Sequence, residues 1–110
     1  MSMEVPLEGL YGVAASLGST AYAVVAAADG APRITHVRPA FAGETITFEL
    51  GRRSIECARQ TGHLSLLWPA TAEERMSLIV DAEVRDVVED RHIVVTPTGA
   101  VRHRPAPLDE

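Results

Sequence analysis

The sequence predicts a mainly β fold: a six-stranded antiparallel barrel, closed or split, with one or two short helices. Three observations point there. Thr45 to Leu50 alternates cleanly, with Ile46, Phe48 and Leu50 on one face and Thr45, Thr47 and Glu49 on the other. Asp29-Gly30 and Ala42-Gly43-Glu44 place turn residues between apolar segments, the spacing of hairpins. The other apolar segments are short and separated by tight polar turns, which favours antiparallel β layers over a helical bundle.

Taken in order, the chain first offers Leu7, Leu10, Tyr11, Ala14 and Leu17 on one helical stripe, within Val5 to Leu17. Pro6 suits a first turn and Gly18 a stop, and this helix is expected to lie across the mouth of the sheet. Ser19 to Ala28 is a small-residue apolar run, and the Asp29-Gly30 hairpin signal after it marks it as a strand. The return strand, Arg33 to Phe41, contains Pro39, which has no N–H for a ladder, so that end is expected at an edge or a bulge. Thr45 to Leu50 is the third strand. Gly51-Arg52-Arg53-Ser54 then turns the chain into a short helix that Gly62 ends. Leu64 to Trp68 forms the fourth strand, and Met76 to Val88 a long fifth, bent near Asp81. The Glu89-Asp90-Arg91 turn leads into the sixth, His92 to Thr96. From Pro97 the tail is expected to run extended and to lose order near Asp109.

A length of 110 residues implies one domain, 1–110, with a core thin enough that pairing with a second copy would help. The hydrophobic fraction of 46% and charged fraction of 23% suit a globular chain, and no apolar run is long enough to cross a bilayer. No signal-peptide pattern opens the sequence, so a cytoplasmic location is the default. The formal net charge of -5 argues against general nucleic-acid binding. Every basic residue is an arginine, a planar fork suited to phosphate or carboxylate. One cysteine, Cys57, excludes an intramolecular disulfide, and with four scattered histidines it assembles no zinc pattern.

The most informative stretch runs from Glu44 to Trp68. A strand there feeds a corner containing Arg52, Arg53 and Ser54, and the corner opens a helix. Free N–H groups at a helix start and the positive end of its dipole both favour an anion. Ser54 has two readings, ligand to that anion or ordinary N-cap. Arg33 and Arg38 lie five residues apart, so a regular strand points them to opposite faces. They share one ligand if the strand bulges or if each meets a different part of it. Glu49 is a candidate ion-pair partner for one of these arginines. His36 and His63 are candidate proton donors, although strand histidines are more often structural. Cys57 reads as a packed side chain, and Trp68 as core or subunit interface, with stacking on a ring the other reading. No Ser/His/Asp order, paired-carboxylate motif or Walker loop appears.

The order of signals resembles that of the pyridoxamine 5'-phosphate oxidase-like FMN-binding split barrels. The resemblance runs from Ser19 to Ala106. It is carried by Asp29-Gly30, Pro32 to Arg38, Thr47 to Ser54, Gly62 to Pro69, Ser77 to Asp81, Val94 to Pro97 and His103 to Ala106. It implies a homodimer with FMN in grooves between the subunits. By the same resemblance Arg33, Arg52, Arg53 and Ser54 hold the phosphate, and Arg38 approaches the flavin ring. Thr47, Phe48 and Glu49 line the groove. Arg75 and Met76, from the loop and strand following Trp68, come from the partner subunit; Trp68 itself joins the cofactor-site candidates only on its ring-stacking reading.

The function this implies is a flavin-dependent oxidoreductase acting on a small-molecule substrate, with a deazaflavin coenzyme as the alternative carrier. The resemblance stops short of the C-terminal substrate-binding segment of true pyridoxamine phosphate oxidases, so that activity itself is not expected. A second hypothesis is a non-catalytic module: a dimer holding a flavin, a deazaflavin or haem, or no cofactor.

Overall fold

The computed structural model describes residues 2–105. Its elements are β1 (Ser2–Glu4), α1 (Leu10–Leu17), β2 (Ala21–Val25), β3 (Arg33–Val37), β4 (Ala40–Ala42) and β5 (Thr45–Glu49). There follow α2 (Arg52–Thr61), β6 (His63–Trp68), β7 (Ser77–Val88) and β8 (His92–His103). One antiparallel sheet contains every strand in the order β3-β2-β6-β7-β8-β5-β4, with β1 added alongside β8.

The two ends of that order, β3 and β4, are neighbours in the chain, separated only by Arg38 and Pro39. Together they make up the predicted second strand, Arg33 to Phe41. At Pro39 the missing N–H interrupts the ladder, so β3 pairs with β2 while β4 pairs with β5. One bent segment thus joins both edges, and the sheet curls into a split barrel. The described residues form eight strands rather than six, because this strand is divided and because β1 exists. All three β1 residues are exposed, so alternation gave no sign of that strand.

Strand β8 also runs farther than predicted. Its register passes from Ala82↔Pro97 to Asp81↔Gly99, leaving Thr98 as an extra residue, a bulge that accommodates the proline. The predicted bend in β7 near Asp81 falls at the same irregularity. Asp109, where order was expected to fade, lies outside the described residues. Between β4 and β5 the tight turn forms as expected, with Gly43 at φ 61° and Ala42 opposite Thr45. Asp29-Gly30 does lie between two paired strands, but within the longer connection 26–32 and without a positive φ.

Alternation sets the core. In β2 the side chains of Ala21, Ala23 and Val25 point inward, and Ile46, Leu66, Trp68, Leu78 and Ile93 meet them from other strands. Burying such side chains is the main favourable term, about 1.5–3 kcal/mol for each large aliphatic one. Helix α1 adds Leu10, Ala14 and Leu17 to this core. The predicted stripe was wider: Leu7 sits in a 3-10 turn (Leu7–Gly9), and both Leu7 and Tyr11 are exposed. Tyr11 instead meets the ring of Phe41 edge-on at 5.3 Å.

Helix α2 begins earlier than the sequence suggested. Residues 52–54 are its first turn rather than a loop before it, and Gly51 is the N-cap. Ile55 and Ala58 face the core, and Gly62 ends the helix at φ 77° with its N–H donating to the Ala58 carbonyl at 2.8 Å. On the outward side of the sheet the register aligns Tyr22, Leu67, Ile79 and Val101 in one row across β2, β6, β7 and β8. Among the described residues no helix is long and apolar enough to cross a membrane.

Candidate functional site

Three backbone N–H groups at the start of α2, those of Arg52, Arg53 and Ser54, precede the first helical bond, which runs from the Ile55 N–H to the Gly51 carbonyl at 3.0 Å. Gly51 supplies no side-chain cap, and no acidic residue stands in the first turn. Two arginines occupy it instead, where cations oppose the helix dipole at about 0.3–1 kcal/mol each when exposed. Among the described residues neither Arg52 nor Arg53 has an ion-pair partner, whereas Arg59, Arg91 and Arg102 do. The turn therefore carries two cations with no ion-pair partner among the described residues, although the carboxylates of Asp29 and Glu56 border the same groove as Arg53.

Arg33 arrives from β3. Its Nε donates to the Oγ of Ser54 at 3.3 Å, leaving the two terminal nitrogens of the guanidinium free for a ligand. Ser54 is 4% exposed and occupies the third helical position, so it is not an N-cap. Its hydroxyl steadies Arg33. Arg33 and Arg53 border one groove of about 680 Å³ between the 26–32 connection and α2. Glu56, Cys57 and Gln60 continue its helical wall.

Arg38 lies just past the far end of β3, about 16 Å from Arg33 if the extended chain continues regularly. No bulge interrupts β3, so the two arginines meet different places and not one group. The Arg38 guanidinium donates to Ser19 Oγ at 3.2 Å and borders a second groove of about 460 Å³ with His36, Thr47, Glu49 and His92. His36 is stacked on Tyr22 at 4.6 Å. Glu49 pairs at 3.8 Å with Arg91 and not with the arginines of either groove. Phe48 borders this groove, but its side chain is buried in the core at 3% exposure. Trp68, also buried, forms the floor of a third cleft shared by Arg38, Tyr11 and Phe41.

The structure thus brings together Arg33, Arg53 and Ser54 at one corner, and Arg38, Thr47 and Phe48 at another. Arg52 borders neither groove, and nor do Arg75 and Met76, which lie in the β6–β7 connection. The Met76 carbonyl accepts from Arg102 at 2.8 Å. Sequence reading passed over Glu56 and Gln60. Their spacing from Arg53, at i+3 and i+7, was the signal that one helix face continues from the arginine. It also passed over His92, the cross-strand neighbour of Glu49. Among the described residues no group of three or more His, Cys, Asp or Glu side chains gathers as a metal site.

No protein-family model matches the sequence, and no curated protein matches it significantly. Solved structures do match. A Listeria innocua protein described as a candidate pyridoxamine 5'-phosphate oxidase superposes with a TM-score of 0.67 at 12% identity, over 86% of this chain and 96% of that one. An FAD-binding protein from Mesorhizobium loti gives a TM-score of 0.64 at 13% identity, over 93% of this chain and 96% of that one. The haem storage protein HutZ from Vibrio cholerae gives 0.63 at 15% identity, over 89% and 96%. With its edges joined through Arg38-Pro39 and its ladder matched across most of the chain, the protein has the split-barrel fold of these pyridoxamine-phosphate-oxidase-like, flavin-binding and haem-storing proteins.

Proposed function

We propose that the chain binds a flavin nucleotide and serves as a flavin-dependent oxidoreductase. The observation that carries this reading is the pairing of Arg33, steadied by Ser54, with the unpartnered Arg53 at the open start of α2. That donor set fits a phosphate ester: two planar cations, free helix N–H groups and no competing acid in the first turn. Arg38 then stands a flavin's length away along β3, beside a groove open enough for a ring. The fold supports the reading, since structures that share it include a flavin-binding protein.

In this reading the flavin, when bound, supplies the electron chemistry. The chain's own residues hold and orient it. Arg33 and Arg53 fix the phosphate, and Arg38 sets a positive charge beside the ring, where it favours an electron-rich form. Thr47 lines the same groove. A homodimer completes the site, with Arg75 and Met76 supplied by the partner. Its contact face is the apolar row of Tyr22, Leu67, Ile79 and Val101. The substrate is a small molecule.

Visible absorption of the purified protein, followed by mixing with NADH or NADPH under anaerobic conditions, tests the proposal. Flavin bands that bleach and recover on adding oxygen support it. Bands that never bleach with any donor leave a carrier and remove the enzyme. A second reading, a haem carrier, has one observation in its favour: His36 and His92 border the same groove as Arg38. A Soret band after haem titration, lost in His36→Ala or His92→Ala, would select it.

A further inference from the structure

Arg38 stands between two openings. One is the groove it shares with Thr47 and His92. The other, of about 290 Å³, lies between α1 and the β3–β4 corner, with Trp68 as its floor. The Nη1 of Arg38 donates to Ser19 Oγ, just past the end of α1, where a cation complements the helix dipole. That bond uses one edge of the guanidinium. The opposite edge, Nε with Nη2, has no hydrogen-bond or ion-pair partner among the described residues. An edge of that shape matches the two oxygens of a carboxylate.

Away from Arg38 and Ser19 the second cleft is mostly apolar. Tyr11 meets Phe41 edge-on at 5.3 Å, and Phe41 leans toward Trp68 at 6.0 Å, so three rings run along it. Ala14 and Ala15 of α1 add only methyl groups. Arg38 is the one charged residue of the lining, so no carboxylate of the cleft competes for it. Aromatic walls favour a flat apolar ring. One cation offsets one negative charge, whereas a phosphate dianion would leave charge and unmet oxygens facing the rings, at a cost. The volume is just under the usual range of small-molecule sites, about 300–1,000 Å³, which suits a single ring and not a nucleotide.

We infer that this cleft holds the substrate and that the substrate is a small aromatic carboxylic acid. Its carboxylate lies on the Nε–Nη2 edge of Arg38, and its ring lies against Tyr11, Phe41 and Trp68. The inference rests on the flavin site proposed above, because Arg38 borders both openings and so brings the acid beside the flavin ring.

Trp68 is the sole tryptophan, so its emission reports on the cleft without need of a flavin. The test is to titrate benzoate, benzyl alcohol and acetate into the flavin-free protein and into protein loaded with FMN. Benzoate is expected to change the Trp68 emission saturably and to bind about tenfold or more tightly than either of the others. Arg38→Gln should remove that advantage and leave benzyl alcohol binding as it was. Arg38 is exposed, and an unchanged melting temperature confirms that the variant is folded. Tyr11→Ala should weaken benzoate and benzyl alcohol alike. In the loaded protein benzoate should also shift the visible bands of the flavin. With FMN bound, benzoate no tighter than benzyl alcohol, benzoate indifferent to Arg38→Gln, or flavin bands unmoved at saturation each overturns the inference and leaves the flavin site standing. Benzoate held through Arg38 while FMN fails to bind overturns the flavin reading, and with it the cleft's role as a substrate site. Failure of both to bind overturns both.

Discussion

Arg33 and Ser54 are joined across 3.3 Å, from the Nε of one to the Oγ of the other, tying edge strand β3 to the first turn of α2. Twenty-one residues separate them in sequence. The contact turns the outer edge of the guanidinium toward the groove it shares with Arg53. Removing the hydroxyl leaves the arginine in place but free to rotate. Ser54→Ala is therefore expected to weaken flavin-nucleotide binding by about 0.5–1.5 kcal/mol, the range of one net hydrogen bond. Isothermal titration checks this, and an effect as large as that of deleting the arginine would contradict the indirect role.

Direct contacts should cost more. Arg33→Ala and Arg53→Ala are each expected to weaken binding by about 1.5–3 kcal/mol, as for hydrogen bonds to a charged group. Arg52→Ala should change binding less than either, because its side chain borders neither groove. Equal losses in all three would mean that the corner acts as a diffuse positive field and not as a built site.

Two glycines separate backbone strain from space. A Cβ at Gly62 or at Gly30 meets no atom within 4 Å, so crowding is absent at both. Gly62 holds φ 77°, which costs an L-residue roughly 1–2 kcal/mol, whereas Gly30 does not have a positive φ. Gly62→Ala should lower the unfolding free energy by about that amount in urea titrations. Gly30→Ala should be neutral or slightly stabilising, by up to about 1 kcal/mol through the unfolded chain.

Trp68 is 1% exposed and packs toward Phe41, with ring centroids 6.0 Å apart. Truncation there opens a large cavity, so Trp68→Ala should cost about 3–5 kcal/mol. Trp68→Phe should recover most of that loss. If Trp68 were instead a flavin-stacking residue, both variants would lose the cofactor at unchanged stability.

The outward row of Tyr22, Leu67, Ile79 and Val101 leads to a prediction about assembly. Ile79→Glu places a charge at its centre, and light scattering should then report a monomer where the parent protein gives a dimer. Flavin should be lost in the same variant, because the partner's contribution to the site goes with it. A parent protein that is already monomeric would remove the dimer from the account.

How much of this was legible in the sequence depended on whether a side chain or a backbone group did the work. Period-two alternation in Thr45–Glu49 revealed β5 because its inward residues, Ile46 and Phe48, are apolar. Pro39 announced the interrupted ladder, but not that the two halves would pair with opposite edges of the sheet. Strand β1 left no trace, since its three residues are exposed and it is held to β8 by backbone pairing and one side-chain contact, Ser2 Oγ to His103 Nδ1 at 3.3 Å. Pro97 read as the end of a strand because the bulge that shelters it needs β7 opposite. At the site, Arg53 was visible as a cation near a helix start, whereas Arg33, which opens a strand, was reached through the family resemblance. The role of Ser54 was not visible, because its partner is distant in sequence and N-cap and third helical position look alike without the preceding backbone angles.

The central claim is that the start of α2 grips a phosphate ester, and comparing riboflavin with its 5'-phosphate tests it most directly. Riboflavin has the same ring and ribityl chain and lacks only the group the corner is said to hold. The account predicts that the phosphate improves affinity by about tenfold or more, and that Arg53→Ala removes most of the difference. Equal binding of the two compounds, or a difference that survives Arg53→Ala intact, would contradict it.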